Sequence, residues 1–353
     1  MNGVIRRNHY DVTDRVFVAD PRVVCTEVCA LLRSLEPNTD PRPVEQAFDV
    51  FSRLYAGTLP GYLGCETWYH DAQHSLDCAL VMARLLDGHE RGVPAAERLG
   101  ERRARLGVIA ALFHDAGYIR KSTDAEQHGA QFTLFHVRRS GDFLAEFLPS
   151  VGFVQEGPLT EQLVHFTGYE MALDDIQVRH PLDRRLGFML GTADVLAQIS
   201  DRCYLEKCRD FLYPEFEICG LAGTPRPDGT KPLYASREEL LRRTPEFHDK
   251  IWKDRMDSYF ECAYRYAATH FGGRNLYLEV IEGHLRRLRE VLQANQIQEG
   301  LRRRAECINA GPLCVILGLQ PAGDPGVRAA SQPPSYKRRV HVGAVDPRNY
   351  VPT

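Results

Sequence analysis

Two short segments decide how this chain is read: Trp68-Tyr69-His70-Asp71-Ala72-Gln73-His74-Ser75 and Leu112-Phe113-His114-Asp115-Ala116-Gly117-Tyr118. The first spaces two histidines at i, i+4. On a helix this brings both imidazoles to one face, roughly 6 Å apart along the axis. The second sets a histidine beside an aspartate at the end of the apolar run from Val108 to Phe113. A histidine and a carboxylate buried together are costly unless something charged lies between them, and a divalent cation is the usual solution.

Working outward, helical periodicity dominates. Asp20-Pro21 reads as a cap and first helical position for a helix to Leu35, and Pro41-Arg42-Pro43 breaks the chain before a second helix at Val44–Tyr55. A helix is expected over Tyr69–Leu86, ending near Asp87-Gly88, and Glu90–Glu101 reads as a solvated connector. Arg102–Ala116 follows, with Gly117 as a glycine cap. Further helices are expected over Asp124–Arg138, over Leu159–Phe166 with Thr160 as N-cap, and over Arg184–Phe211. Residues 213–235 are rich in Gly and Pro and read as a long loop on the substrate side. Ser236-Arg237-Glu238-Glu239 is a capping box, followed by amphipathic helices at about 245–270 and 276–296. Strand-like alternation and internal repeats are lacking, so the expectation is an all-α protein. One domain is expected over residues 1–310, with a Pro/Gly-rich, loosely packed or disordered tail over 311–353 that includes Lys337-Arg338-Arg339.

A formal net charge of −3 gives no global basic field for an extended nucleic-acid footprint. No apolar run approaches the ~18 residues that span a bilayer, and Met1–Tyr10 has no signal-peptide core, so a cytoplasmic location is expected. The ten cysteines contain no C-x-x-C and lie mostly in apolar helical stretches, which reads as reduced thiols. A homodimer is compatible with all of this.

The order H…HD…D resembles the HD-domain metal-dependent phosphohydrolases. The first segment is similar, more closely, to the catalytic domain of class I cyclic-nucleotide phosphodiesterases. Their motif Y-H-N-x-x-H-A-x-D-V is followed by Tyr69-His70-Asp71-Ala72-Gln73-His74-Ser75-Leu76-Asp77-Cys78. The last ligand in such proteins is an Asp in an A-D context, which Thr192-Ala193-Asp194-Val195-Leu196 resembles. By motif the likeness covers residues ~60–200.

The resemblance implies an HD or phosphodiesterase-like multi-helix bundle with a metal site between helices. It assigns His74, His114, Asp115 and Asp194 to one divalent ion, and His70 to the role of general acid. His128 and His165 stand where a second ion is bound in many HD-domain proteins, with Asp115 bridging the pair; His128 could instead contact substrate phosphate. One or two ions are implied, with Mg, Mn, Zn and Fe not distinguished. Such an ion lowers the pKa of bound water from 15.7 toward ~7, beyond the reach of a side-chain base. The implied activity is hydrolysis of a phosphodiester or phosphomonoester of a small nucleotide-like molecule, cyclic nucleotides included. The alternative is a di-iron oxygenase built on the same ligands. Arg120 and Lys121, just past the H-D pair, are candidates for holding substrate phosphate. The chain departs from the phosphodiesterases at Gly117-Tyr118-Ile119-Arg120, where those enzymes carry an acid-His-Pro-Gly element.

Overall fold

Helix α1 (Pro21–Leu35) starts where the sequence predicts, with the Asp20 carboxylate accepting from the Arg22 amide and Pro21 in the first turn. A computed structural model describes residues 6–225 and 231–308. After α1 come α2 (Arg42–Tyr55), α3 (Ala72–Gly92), α4 (Gly100–Phe113), α5 (His136–Phe147), α6 (Gly157–Leu163) and α7 (Pro181–Ser200). The second half holds α8 (Tyr204–Lys207), α9 (Tyr213–Cys219), α10 (Arg237–Ile251), α11 (Tyr266–His270) and α12 (Leu276–Gln293), joined in part by 3-10 and π turns. Among the described residues there is no strand, only isolated bridges such as Tyr62 with Lys121. The chain is all-α at this level. The tail expected over 311–353 lies outside the described residues.

Helix α3 is the axis of the bundle. It packs on α1, α4, α7 and α11, and its residues from Ala72 to His89 are buried on nearly every side. A helix buried on nearly every side belongs in the middle of a core. Helix α7, buried without a break from Leu186 to Ser200, crosses it. The prediction stopped the first of these helices at Gly88, but it runs on to Gly92. Gly88 serves close packing instead: a Cβ there would lie 1.8 Å from the Tyr266 carbonyl oxygen of α11.

Other boundaries moved for local reasons. Asp201 leaves helical geometry, so the predicted Arg184–Phe211 helix is divided between α7, α8 and a π turn at Cys208–Leu212. The predicted loop 213–235 contains α9, which has proline in its first turn and ends at left-handed Gly220. The helix expected near 245–270 is interrupted by a π segment, Trp252–Tyr259, and by Glu261 and Cys262 at φ 51° and 58°. Thr160 does not cap α6; its hydroxyl donates to the Glu156 carbonyl. Ser236 caps α10 as predicted, its Oγ accepting from the Glu239 amide at 3.1 Å. The nine cysteines among the described residues are all unbridged. No helix of the described residues is long and apolar enough to cross a membrane.

Two tertiary ties hold α3. In its middle, Arg84, 2% exposed, donates to Asp11 at 2.5 Å and to the Tyr277 hydroxyl at 2.8 Å. Burial works against the Asp11 charge, but Arg84 outweighs it and the pKa falls below the usual carboxylate value. This contribution is therefore present above about pH 4 and lost as pH falls through the lowered value. Arg84→Met leaves that carboxylate buried and unpaired, so a loss of about 3 kcal/mol or more is expected in urea unfolding at pH 7.

At its N-terminus, α3 is met by an extended strap, residues 301–308. The Ile308 amide donates to Asp71 Oδ2 at 2.9 Å, and the Ala72 amide donates to the Ile308 carbonyl at 3.2 Å. Asp71 Oδ1 meanwhile accepts from the His74 amide at 3.0 Å, as N-cap of the helix. Upstream, the strap accepts from Asn8 at Arg304 and pairs Glu306 with His9.

Candidate metal centre

Three elements converge. The first turn of α3 supplies His74, the end of α4 supplies His114 and then Asp115, and the middle of α7 supplies Asp194. All four are buried. The two histidine Nε2 atoms face each other at 3.2 Å. Asp194 Oδ1 lies 3.1 Å from His74 Nε2 and 3.4 Å from His114 Nε2. Asp115 Oδ2 lies 3.5 Å and 3.3 Å from the same two atoms.

The ligand atoms of His74, His114 and Asp115 all lie within 4.8 Å of one another, close enough to share an ion, with Asp194 beside the two histidines. Donors about 2.1 Å from a cation stand about 3.0 Å apart at octahedral right angles and about 3.4 Å apart in a tetrahedron. Asp115 Oδ2 is buried without a hydrogen bond, a costly state for a carboxylate oxygen unless a cation answers it. His114 donates Nδ1–H to the Ala111 carbonyl at 2.8 Å, which leaves the Nε2 lone pair for the cluster. Burial opposes charge on His114, yet Asp115 and Asp194 raise its pKa well above the usual histidine value. Asp194 itself is held at about 2: burial pushes it up, but His114 and His74 outweigh that. The cluster favours positive charge at its middle, and His74, His114 and Asp115 could hold a metal ion.

The sequence reading missed His136. It opens α5, is 5% exposed, and sets Nε2 3.5 Å from Asp115 Oδ1, the oxygen turned away from the His74–His114 pair. Its Nδ1–H goes to the Thr133 carbonyl at 2.9 Å, the same i−3 pattern as His114. Burial depresses its pKa to about 4, so the ring is neutral and its Nε2 can act as a donor atom. Asp115 thus spans two imidazole groups. Gly117 brings α5 this close: a Cβ there would lie 1.9 Å from the His136 carbonyl oxygen, so its role is close approach rather than the predicted cap. Apolar neighbours on both sides, Phe135 and Val137, were the available signal for a buried histidine.

His70 stands just ahead of the α3 N-cap, not on the helix as the i, i+4 spacing implied. Its Nδ1 meets Glu215 Oε2 at 2.7 Å, and its ring centre is 6.4 Å from that of His74. Glu215, on α9, is fully buried and also accepts the Trp68 and Tyr69 amides at 2.5 and 2.6 Å. Burial alone would lower the His70 pKa, but Glu215 reverses this and raises it. Tyr118 stacks on both His70 and His136, with ring centres 4.3 and 4.2 Å away. Glu215 was hidden from sequence reading because α9 fell inside a stretch read as loop. A lone acid between Pro214 and Phe216 was its only trace.

The remaining predicted residues stand elsewhere. His128 is not in a helix; its Nδ1 accepts the Ala130 amide at 3.1 Å to cap a short 3-10 turn, and its ring packs on Trp68 at 5.0 Å. That commitment of a lone pair removes it from the cluster. His165 is 8% exposed with Nδ1 unpartnered, and the charged group that bears on it is Arg138 rather than Asp115 or Asp194. Arg120 is spent on a two-pronged pair with Glu66, both contacts at 2.7 Å, and on the Glu126 carbonyl. Lys121 points outward, 3.8 Å from Glu146 with 45% of its side chain exposed. Lys207 is buried against Asp201 at 3.0 Å.

Compared with known proteins, the chain matches no family model, no curated protein and no solved structure.

Proposed function

We propose that the chain is a metal-dependent phosphohydrolase acting on a phosphoester of a small nucleotide-like molecule. The supporting observation is the pairing of two unlike groups: a buried His/Asp cluster that could hold a metal ion and, beside it, a histidine whose pKa a buried glutamate raises. His74, His114, Asp115 and Asp194 would hold the first ion, and Asp115 with His136 would offer donors toward a second. A cation held there supplies Lewis acidity toward phosphoryl oxygens and makes water acidic enough to ionise near neutral pH.

The chain's own residues do the rest. Glu215 takes the Nδ1–H of His70, so the proton on Nε2 faces the side where Tyr118 Oη lies at 3.5 Å. An imidazole whose pKa is raised by a buried carboxylate can pass that proton to a departing alkoxide. Stacking on Tyr118 restrains the ring in that pose.

The test uses chelator-treated protein reloaded with Mn²⁺, Mg²⁺, Zn²⁺ or Fe²⁺ and assayed on cyclic nucleotides, nucleoside monophosphates and a chromogenic phosphodiester. His70→Ala should keep its metal while losing about 10²-fold or more in turnover, most on substrates with alkyl leaving groups. Full activity of that variant on an alkyl phosphoester would refute the acid role. Oxygen uptake by the iron form with no phosphoester cleaved would replace hydrolase by di-iron oxygenase.

A further inference from the structure

Arg255 is a buried cation with no carboxylate paired to it among the described residues. It sits in the π segment after α10, 7% exposed, and gives its donors to backbone: Nη1 to the Phe166 carbonyl at 3.4 Å and Nη2 to the Gly168 carbonyl at 2.5 Å. Its guanidinium carbon lies 3.8 Å from the centre of the Tyr169 ring. Burying a guanidinium to hold two carbonyls is costly, and π segments concentrate where a fold meets a functional demand.

The turn that Arg255 grips, residues 166–170, is wedged between two elements of the centre. On one side the Phe166 carbonyl closes on α7 at Gly191, where a Cβ would lie 2.6 Å from that oxygen, three residues before Asp194. On the other, Gly168 presses on Val137, with a Cβ clash at 2.4 Å to its Cγ2. Beyond it, Glu170 accepts the Val137 amide at 2.6 Å and the Arg138 amide at 3.1 Å. Those amides belong to the first turn of α5, whose N-cap residue Phe135 offers no side-chain bond. Glu170 therefore caps α5 from a distance. The first residue of that helix is His136.

We propose that Arg255 is a positioning residue for His136, acting through the 166–170 turn and the Glu170 cap on α5; the inference rests on His136 belonging to the centre. His114 lies on α4 and makes its own Nδ1–H bond to Ala111, so it is an internal control.

In chelator-treated protein, imidazole NMR should show slowly exchanging Nδ1–H signals for both His114 and His136, the latter assigned by its loss in His136→Asn. Arg255→Met should remove or shift the His136 signal and leave that of His114 in place. In Mn²⁺ titrations the variant should lose about tenfold or more in affinity for the second equivalent and stay within about twofold for the first. Should Arg255→Met not fold, Glu170→Ala removes both acceptors at the far end of the same link and carries the same expectation. Unchanged ring signals, or equal weakening of both equivalents, would overturn the proposal. A wild-type protein that takes up only one equivalent would defeat the two-ion reading instead, and the ring signals would still decide the role of Arg255.

Discussion

Asp115→Asn is expected to remove bound metal and phosphoester turnover together, with turnover down by about 10³-fold or more. Asp115 is the side chain whose two oxygens face different imidazole groups, Oδ2 toward His74 and His114 and Oδ1 toward His136. Asparagine keeps the shape but loses the charge, and presents an NH₂ where a ligand oxygen or its twin stood. The His114 pKa should fall as well, because Asp115 leads the charges that raise it against burial. Elemental analysis of purified protein, set beside turnover at saturating Mn²⁺, checks both halves. Full metal content with normal turnover would mean that Asp115 is not a ligand.

Glu215→Gln is expected to act on protons rather than on metal. Gln can keep one acceptor for the Trp68 and Tyr69 amides, so the local chain path should survive. His70 loses the charge that raises its pKa, while the burial that lowers it remains. The alkaline limb of kcat/KM should therefore move to lower pH, with kcat at pH 7.5 reduced about tenfold on poor leaving groups. The sign in stability is the same. A histidine with a raised folded pKa contributes fully below about pH 6.5 and loses that contribution as pH rises through the raised value. Urea midpoints of wild type and Glu215→Gln should thus differ more at pH 6 than at pH 9. An unmoved alkaline limb in the variant would show that the limb belongs to another group.

The cluster residues that sequence could bring together were those fixed by local chain geometry. His114 and Asp115 are adjacent, and His74 stands at a helix start whose cap, Asp71, is visible in the chain. Asp194 was legible through its motif context. What failed was whatever depended on where a helix begins. His128 comes first after the H-D pair, but its ring caps a turn, and α5 starts eight residues later at His136. Glu215 was lost because a seven-residue helix carries little periodicity, so α9 could not be told from the glycine- and proline-bearing chain around it. Arg120 was drawn toward substrate by proximity in sequence, while Glu66, 54 residues away, holds it in the fold.

The strap at residues 301–308 has a consequence for how the centre comes into being. Asp71 and Ile308 are 237 residues apart, and a ribosome adding roughly 5–20 residues per second needs on the order of 10–50 s to cover that span. Until then, the helix start that bears His74 lacks its last backbone partner, although all four donors have already been synthesised. A nascent chain can therefore carry His74, His114, Asp115 and Asp194 and still hold the start of α3 loosely until Ile308 has been made.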